Sequence, residues 1–170
     1  METLGNESIE PPKLFDIPTT WAAGEWESGG YEDLLYEVFM ATLVNAKLSF
    51  RGLPINLRRL PIYKEKHSAF WHLISEGNVE EERTPDMERC RYLPWAAWVI
   101  SAYGRTSEIS AFENKRKGGT NVVLWYEPGD YAVILSKRST YFLLVTAYPL
   151  TSDRKESFKR DRDEFNNRAQ

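Results

Sequence analysis

The sequence predicts an α+β fold, with a helical N-terminal half packed on a small antiparallel β-meander of three to five strands. Three observations lead there. Apolar residues recur at helical spacing ahead of Ala102. Between Asn121 and Tyr148, short runs rich in β-branched and aromatic residues alternate with turn residues. Those runs are almost continuously apolar, so the sheet is expected to be covered on part of its second face too. The first hundred or so residues are the only large supply of helices for that cover.

Taken in order, residues 1–30 read as an irregular leader, because Pro11-Pro12, Pro18, Gly24 and Gly29-Gly30 break helices. Trp21 and Trp26 are too large for a solvated tail and are expected to pack back on the core. A single α+β domain is expected over residues 31–150. Its first helix covers 31–44, where Tyr31, Leu34, Leu35, Val38, Phe39 and Leu43 form one stripe. Residues 46–50 suit a short strand or a helix end, and 51–54 a turn.

Thr84-Pro85-Asp86-Met87-Glu88 reads as a helix start, with Thr84 as N-cap and Pro85 at the first helical position. Pro94 is expected to end or kink that helix, and residues 95–102 to form a second, buried one over the sheet. Residues 105–119 read as a polar linker that ends in the basic cluster Lys115-Arg116-Lys117. Pro128-Gly129-Asp130 supplies the first meander turn, with glycine available for a positive φ. Residues 151–170 carry dense charge of both signs and read as a frayed helix or disordered tail.

Composition narrows the function classes. A hydrophobic content of 42% with 14% aromatics excludes disorder for most of the chain. The formal charge of −3 argues against a globally basic nucleic-acid binder but leaves local patches open. One cysteine, Cys90, removes an internal disulfide and a cysteine-based zinc site, and fits a reducing, cytoplasmic setting. The acidic N-terminus lacks the apolar core of a signal peptide, and no apolar run is long enough to span a bilayer. There is no P-loop, dinucleotide fingerprint, HExxH, EF-hand loop or nucleophile elbow. Scattered acids give no obvious ligand set for a two-metal nuclease, so neither metal nor cofactor is called for.

What stands out is charge beside histidine. Arg51, Arg58, Arg59, Lys64 and Lys66 face the single acid Glu65 over residues 51–66, and His67 follows directly. Such a run is usually a solvated face, but a basic loop ahead of a histidine also suits phosphate. His72, the other histidine, cannot share a surface with His67 at this spacing. Embedded in Phe70-Trp71-His72-Leu73-Ile74, it is expected to be structural.

Lys66-His67, Lys137-Arg138 and Leu144-Val145-Thr146-Ala147-Tyr148, in that order, resemble the pattern of the barnase–EndoU–colicin–RelE-like (BECR-fold) ribonucleases of the phage and prophage type. The resemblance covers roughly residues 64–149, and the stretch 76–103, read as two aromatic-rich helices, departs from it. It implies a cytoplasmic, toxin-like endoribonuclease that cleaves RNA through the 2′-OH without metal. It also implies an antitoxin or immunity protein as partner. On that reading His67 is the general acid or base and Lys137 and Arg138 hold the phosphate, with Lys64 and Lys66 assisting. Thr146 is expected in the catalytic set, and Tyr148 orients phosphate or stacks on a base, although without the resemblance plain strand packing is the better reading of each. Neighbouring positive charge should lower the His67 pKa.

The competing class is a non-catalytic phage or prophage accessory protein that binds RNA or a protein partner through its tryptophans and basic clusters. Geometry separates the two. Convergence of His67, Lys137 and Thr146 on one cleft favours the ribonuclease, and their dispersal favours binding.

Overall fold

The computed structural model describes residues 9–18, 24–77, 83–116 and 118–168. Its elements are α1 (Glu25–Ser28), α2 (Tyr31–Phe39), which runs on as a π-helical turn (Met40–Val44), β1 (Ser49–Phe50), β2 (Leu53–Leu57) and α3 (Ser68–Ile74). There follow β3 (Ser75–Glu76), β4 (Thr84–Pro85), α4 (Met87–Ala102), β5 (Ile109–Arg116), β6 (Gly119–Tyr126), β7 (Tyr131–Lys137), β8 (Phe142–Pro149) and α5 (Ser152–Arg168). The class is α+β. The sheet is larger than expected: six strands in the order β1-β2-β8-β7-β6-β5. It is also not wholly antiparallel, because β2 pairs parallel to β8, with Ile55 opposite Phe142 and Leu57 opposite Leu144.

Both extra strands lie where polarity or proline hid them. Leu53-Pro54 belongs to β2 and not to a turn; only Arg51 and Gly52, both at positive φ, reverse the chain from β1. Pro54 is tolerated because β2 is short and lies next to the outermost strand. The supposed linker contains β5, an eight-residue edge strand paired with β6 along its full length. Glu113 and Lys115 put charge on it, a common feature of solvent-facing edges.

Helices cover the two faces of the sheet unequally. Strands β6 and β7 send Val122, Leu124, Val133 and Leu135 to one face, where they join Phe39, Phe70, Leu93, Ala96 and Ile100 of α2, α3 and α4. They send Val123, Trp125, Ala132 and Ile134 to the other, where the main partner is Phe158 of α5. The second cover therefore comes from the charged C-terminal segment and not from the first half. That segment is a 17-residue helix. Phe158 is 1% exposed and packs edge-on to Phe112 and Trp125. Truncating such a ring to alanine costs about 3–5 kcal/mol. Arg162, paired with Glu127 and stacked over Trp125, and Lys155, paired with Asp130, complete the dock.

Three local expectations need correction. Asp86 and not Thr84 caps α4: its carboxylate accepts from the Arg89 N–H at 2.9 Å, while Thr84-Pro85 pairs with β3. α4 runs through Pro94 as one helix, so there is no second helix after it. Proline cannot donate to the carbonyl four residues back, which is normally costly. Leu93, Ala96, Ala97, Val99 and Ile100, all buried, hold the helix together across it. The carbonyl of Arg91 in that turn accepts the N–H of Phe15 at 2.8 Å, so part of the leader is tied to α4. The Trp95 indole donates to Pro12 O at 2.8 Å and fixes it further. In the first meander turn the positive φ falls on Asp130; Gly129 is needed because a Cβ there would meet the Trp95 ring at 2.5 Å.

Within the leader, Trp26 packs against the core and donates to Glu32 at 2.9 Å; Trp21 lies outside the described residues. The α2 stripe holds except at Leu34, which is 45% exposed.

Candidate active site

The predicted residues fall into three places. The first is the junction of α2 and α3. His67 precedes α3, and the N–H groups of Ser68 and Ala69 donate to Arg59 O and Arg58 O, which satisfies the helix start. The imidazole packs edge-on to Tyr36 and Phe39, and its buried Nδ1 has no partner among the described residues. Burial lowers its pKa, and the Arg59 guanidinium lowers it further. The direction is the one expected from the sequence, but burial leads and Lys66 is not the charge responsible.

The lysines beside His67 are already engaged. Lys66 Nζ lies 2.9 Å from Asp33 and over the Tyr36 ring, and Lys64 Nζ lies 3.5 Å from Glu32. Both carboxylates sit in the first turn of α2. The basic run thus clamps one helix to the loop before the next.

The second place is the far end of the sheet. Lys137 is opposite Phe142 in the register, on the face of the main core, and its Nζ lies 3.9 Å from Glu113. Arg51 shares that carboxylate at 3.8 Å. Arg138 follows in the exposed connection to β8. Lys115 also lies towards this end of β5, and Lys117 is outside the described residues.

The third place is the outer edge of β8, and here residues converge. A β-bulge at Val145 shifts the register, so that Leu144 is opposite Leu135 on one face and Thr146 opposite Ile134 on the other. The bulge leaves Val145 39% exposed. Beyond Leu144 the partner β2 has ended, and the last turn of α3 takes its place. Thr146 Oγ1 donates to His72 O at 3.2 Å and accepts from Arg89 Nη1 at 3.2 Å. Nη1 also donates to His72 O, at 3.2 Å. The guanidinium lies 5.1 Å over the Tyr148 ring, with Nε 3.7 Å from Glu76. Arg89, absent from the sequence-derived set, is thus the centre of this cluster.

Open depressions connect the cluster. His72 and Arg58 line one that reaches Val145. Val145, Thr146, Tyr148 and Arg154 line a second, of about 350 Å³. Tyr148 and Arg154 continue into a third, of about 530 Å³, with Arg89, Glu76, Asp86 and Glu88. Those three acids have local roles: Glu76 faces Arg89, Asp86 caps α4, and Glu88 pairs with Arg91 at 3.4 Å.

The structure therefore brings together Thr146 and Tyr148, and adds Arg89 and His72. It does not bring His67, Lys64, Lys66, Lys137 or Arg138 to them. By the geometric criterion above, the original triad has dispersed. The Thr-x-Tyr spacing was readable in sequence; Arg89 was not, because its partner Thr146 is 57 residues away. No group of three or more His, Cys, Asp or Glu side chains among the described residues could hold a metal ion. No helix among them is long and apolar enough to cross a membrane.

Compared with known proteins, the chain matches no family model, no curated protein and no solved structure at a significant level.

Proposed function

We propose that the protein is a metal-independent endoribonuclease of the BECR type whose site is the β8 edge and not the α2–α3 junction. One observation carries this reading: Arg89 sits between Thr146 and Tyr148 and is tied to the His72 carbonyl, while His72 also lines the neighbouring depression that reaches Val145. The reaction needs a group to move protons, a cation for the pentacoordinate phosphorane and a hydroxyl donor to its oxygens. His72 takes the proton of the 2′-OH as that oxygen attacks phosphorus. The bond to the 5′-oxygen breaks, and water supplies the proton to the leaving oxygen, giving a 2′,3′-cyclic phosphate and a 5′-hydroxyl while His72 returns its proton to solvent. Arg89 holds the non-bridging oxygens through Nη2, since Nη1 is occupied by His72 O and Thr146 and Nε faces Glu76. Glu76, whose side chain is 65% exposed, stands where an incoming phosphate would approach that guanidinium. Thr146 keeps Arg89 aimed, and Tyr148 backs it. An antitoxin or immunity protein belongs to this proposal, because a cytoplasmic ribonuclease harms its host.

Binding without chemistry is the alternative, supported by the dispersal of His67, Lys137 and Thr146 and by the presence of a single histidine at the β8 edge. Incubation with mixed RNA in excess chelator separates the two. The expected result is cyclic-phosphate ends from the wild type, little product from His72→Ala, and near-normal product from His67→Ala. Cleavage that needs magnesium, or survives intact in His72→Ala, rejects the mechanism; RNA binding with no cleavage supports the alternative.

A further inference from the structure

The depression that holds Thr146 and Tyr148 does not stop there. It extends over the α5 face of the sheet to Asn114 and Asn121, and Asn114 also lines a further hollow of about 500 Å³ between α5 and the β5–β6 hairpin. The hollows share Tyr148 and Arg154 at one junction and Asn114 at the other, so they form one trough beside α5. The helix presents Arg154, Phe158, Asp161, Phe165 and Arg168 to it, at helical spacing. From the first to the last of these the wall is about 21 Å long, at the usual rise per residue.

The floor of this trough combines Val123 and Ile134 with polar residues, among them a pair of asparagines. Asn114 and Asn121 are directly opposite each other across β5 and β6. They fall on the same face as Phe112 and Val123, the α5 side. The Asn114 Oδ1 is buried and has no hydrogen-bond partner among the described residues. Asn114 nevertheless lines both hollows, so a rotation of its amide brings to them donors and an acceptor that match the edge of a nucleobase. Phe165, half-buried a few turns along α5, offers a ring against which a flat base can stack. Charge of both signs lines this stretch: Asp161, Glu164 paired with Arg168, and Lys115.

We propose that Asn114, supported by Asn121, is a base-reading subsite for single-stranded RNA. A nucleotide flanking the scissile phosphate stacks on Phe165 and is recognised at its hydrogen-bonding edge. This rests on the ribonuclease reading for the position of the scissile phosphate at Arg89.

The test uses full-length His72→Ala protein and a panel of fluorescent homopolymer RNA oligonucleotides, with binding read by anisotropy. Cleavage of a mixed-sequence RNA by protein with an intact His72 is mapped in parallel. One base is expected to bind about 10-fold or more above the others, the usual worth of a paired amide–base contact. Asn114→Ala and Asn114→Ser should each level that preference, with melting temperature unchanged, and should remove the same bias from the cleavage map. Preference retained in both variants overturns the subsite and leaves the ribonuclease reading standing. Preference lost in the variants with no cleavage by the wild type keeps the subsite and rejects the catalysis. Absence of both binding and cleavage rejects both.

Discussion

The two histidines stand at opposite ends of α3, and the ends differ in what surrounds them. At the start, His67 is enclosed by Tyr36 and Phe39, and its neighbouring lysines are paired with Glu32 and Asp33. In the last turn, the His72 carbonyl ties Arg89 and Thr146 together, and its side chain lines an opening on the surface. Charge close in sequence marked the first end, yet that charge is spent on holding α2. The second end looked hydrophobic in sequence and gains its cations from other elements. Proximity along the chain therefore predicted a clamp, and proximity in space defines the candidate site.

The largest expected effect tests this contrast directly. His72→Ala should lower RNA cleavage by about two to four orders of magnitude, the usual worth of a general acid–base group, with little change in melting temperature. His67→Ala should leave cleavage within about threefold, since it has no proton to move at the β8 edge. Single-turnover rates and thermal melts on both variants check it. The reverse pattern would return the site to the α2–α3 junction.

Next comes the guanidinium. Arg89→Lys keeps the charge but loses the fork that meets Thr146, His72 O and phosphate at once. A drop of about 100-fold in cleavage is expected, as for loss of an oxyanion donor. Lys66→Arg, the matching exchange at the other end, should change cleavage less than threefold, roughly within assay error. Equal losses in the two variants would erase the distinction.

Much of this architecture was legible in sequence, and the failures share a cause. The meander from β6 to β8 was visible because Val, Ile, Trp and Tyr crowd strands buried on both faces. β5 was not, because an edge strand alternates Phe112 with Glu113 and Asn114 and reads as polar. α5 reads in sequence as a frayed helix or disordered tail because charge dominates it, and Phe158 is its one buried residue among the described ones. In the site, Thr146 and Tyr148 share a strand and were found together. The bulge that turns them to the open face, and the long-range arrival of Arg89, are properties of tertiary packing and left no local signature.

The pH dependence of stability tests the surroundings of His67. His67 has a folded pKa below its ordinary 6.5, so the unfolded chain binds the proton more readily. Its contribution is fully present above about 6.5 and is lost as pH falls from there through the depressed folded value. Wild-type stability should therefore decline on mild acidification, with a slope of at most one proton from this residue. His67→Gln should flatten that part of the curve. Denaturant midpoints measured from pH 7.5 to 5 give the answer. An unchanged slope in His67→Gln would mean that the buried ring is not what resists protonation.

The smallest effects concern the lysines that the sequence reading gave to phosphate. The Lys66 side chain is 13% exposed, 2.9 Å from Asp33 and stacked over Tyr36, so its stem is packed as well as paired. The Lys64 side chain is 53% exposed and its partner Glu32 lies 3.5 Å away. An exposed pair is worth about 0–1 kcal/mol, and a partly desolvated cation over a ring adds about 0.5–1. Lys66→Ala should then cost about 1–2 kcal/mol of stability and Lys64→Ala less than about 1, in that order. Asp33→Asn should reproduce only a small part of the Lys66→Ala loss, because its own carboxylate is 81% exposed and the ring contact survives. Neither lysine variant should alter RNA cleavage once compared at equal folded fraction. A tenfold fall in cleavage with stability intact, in either variant, would give this end of α3 a role in holding phosphate that its ion pairs argue against.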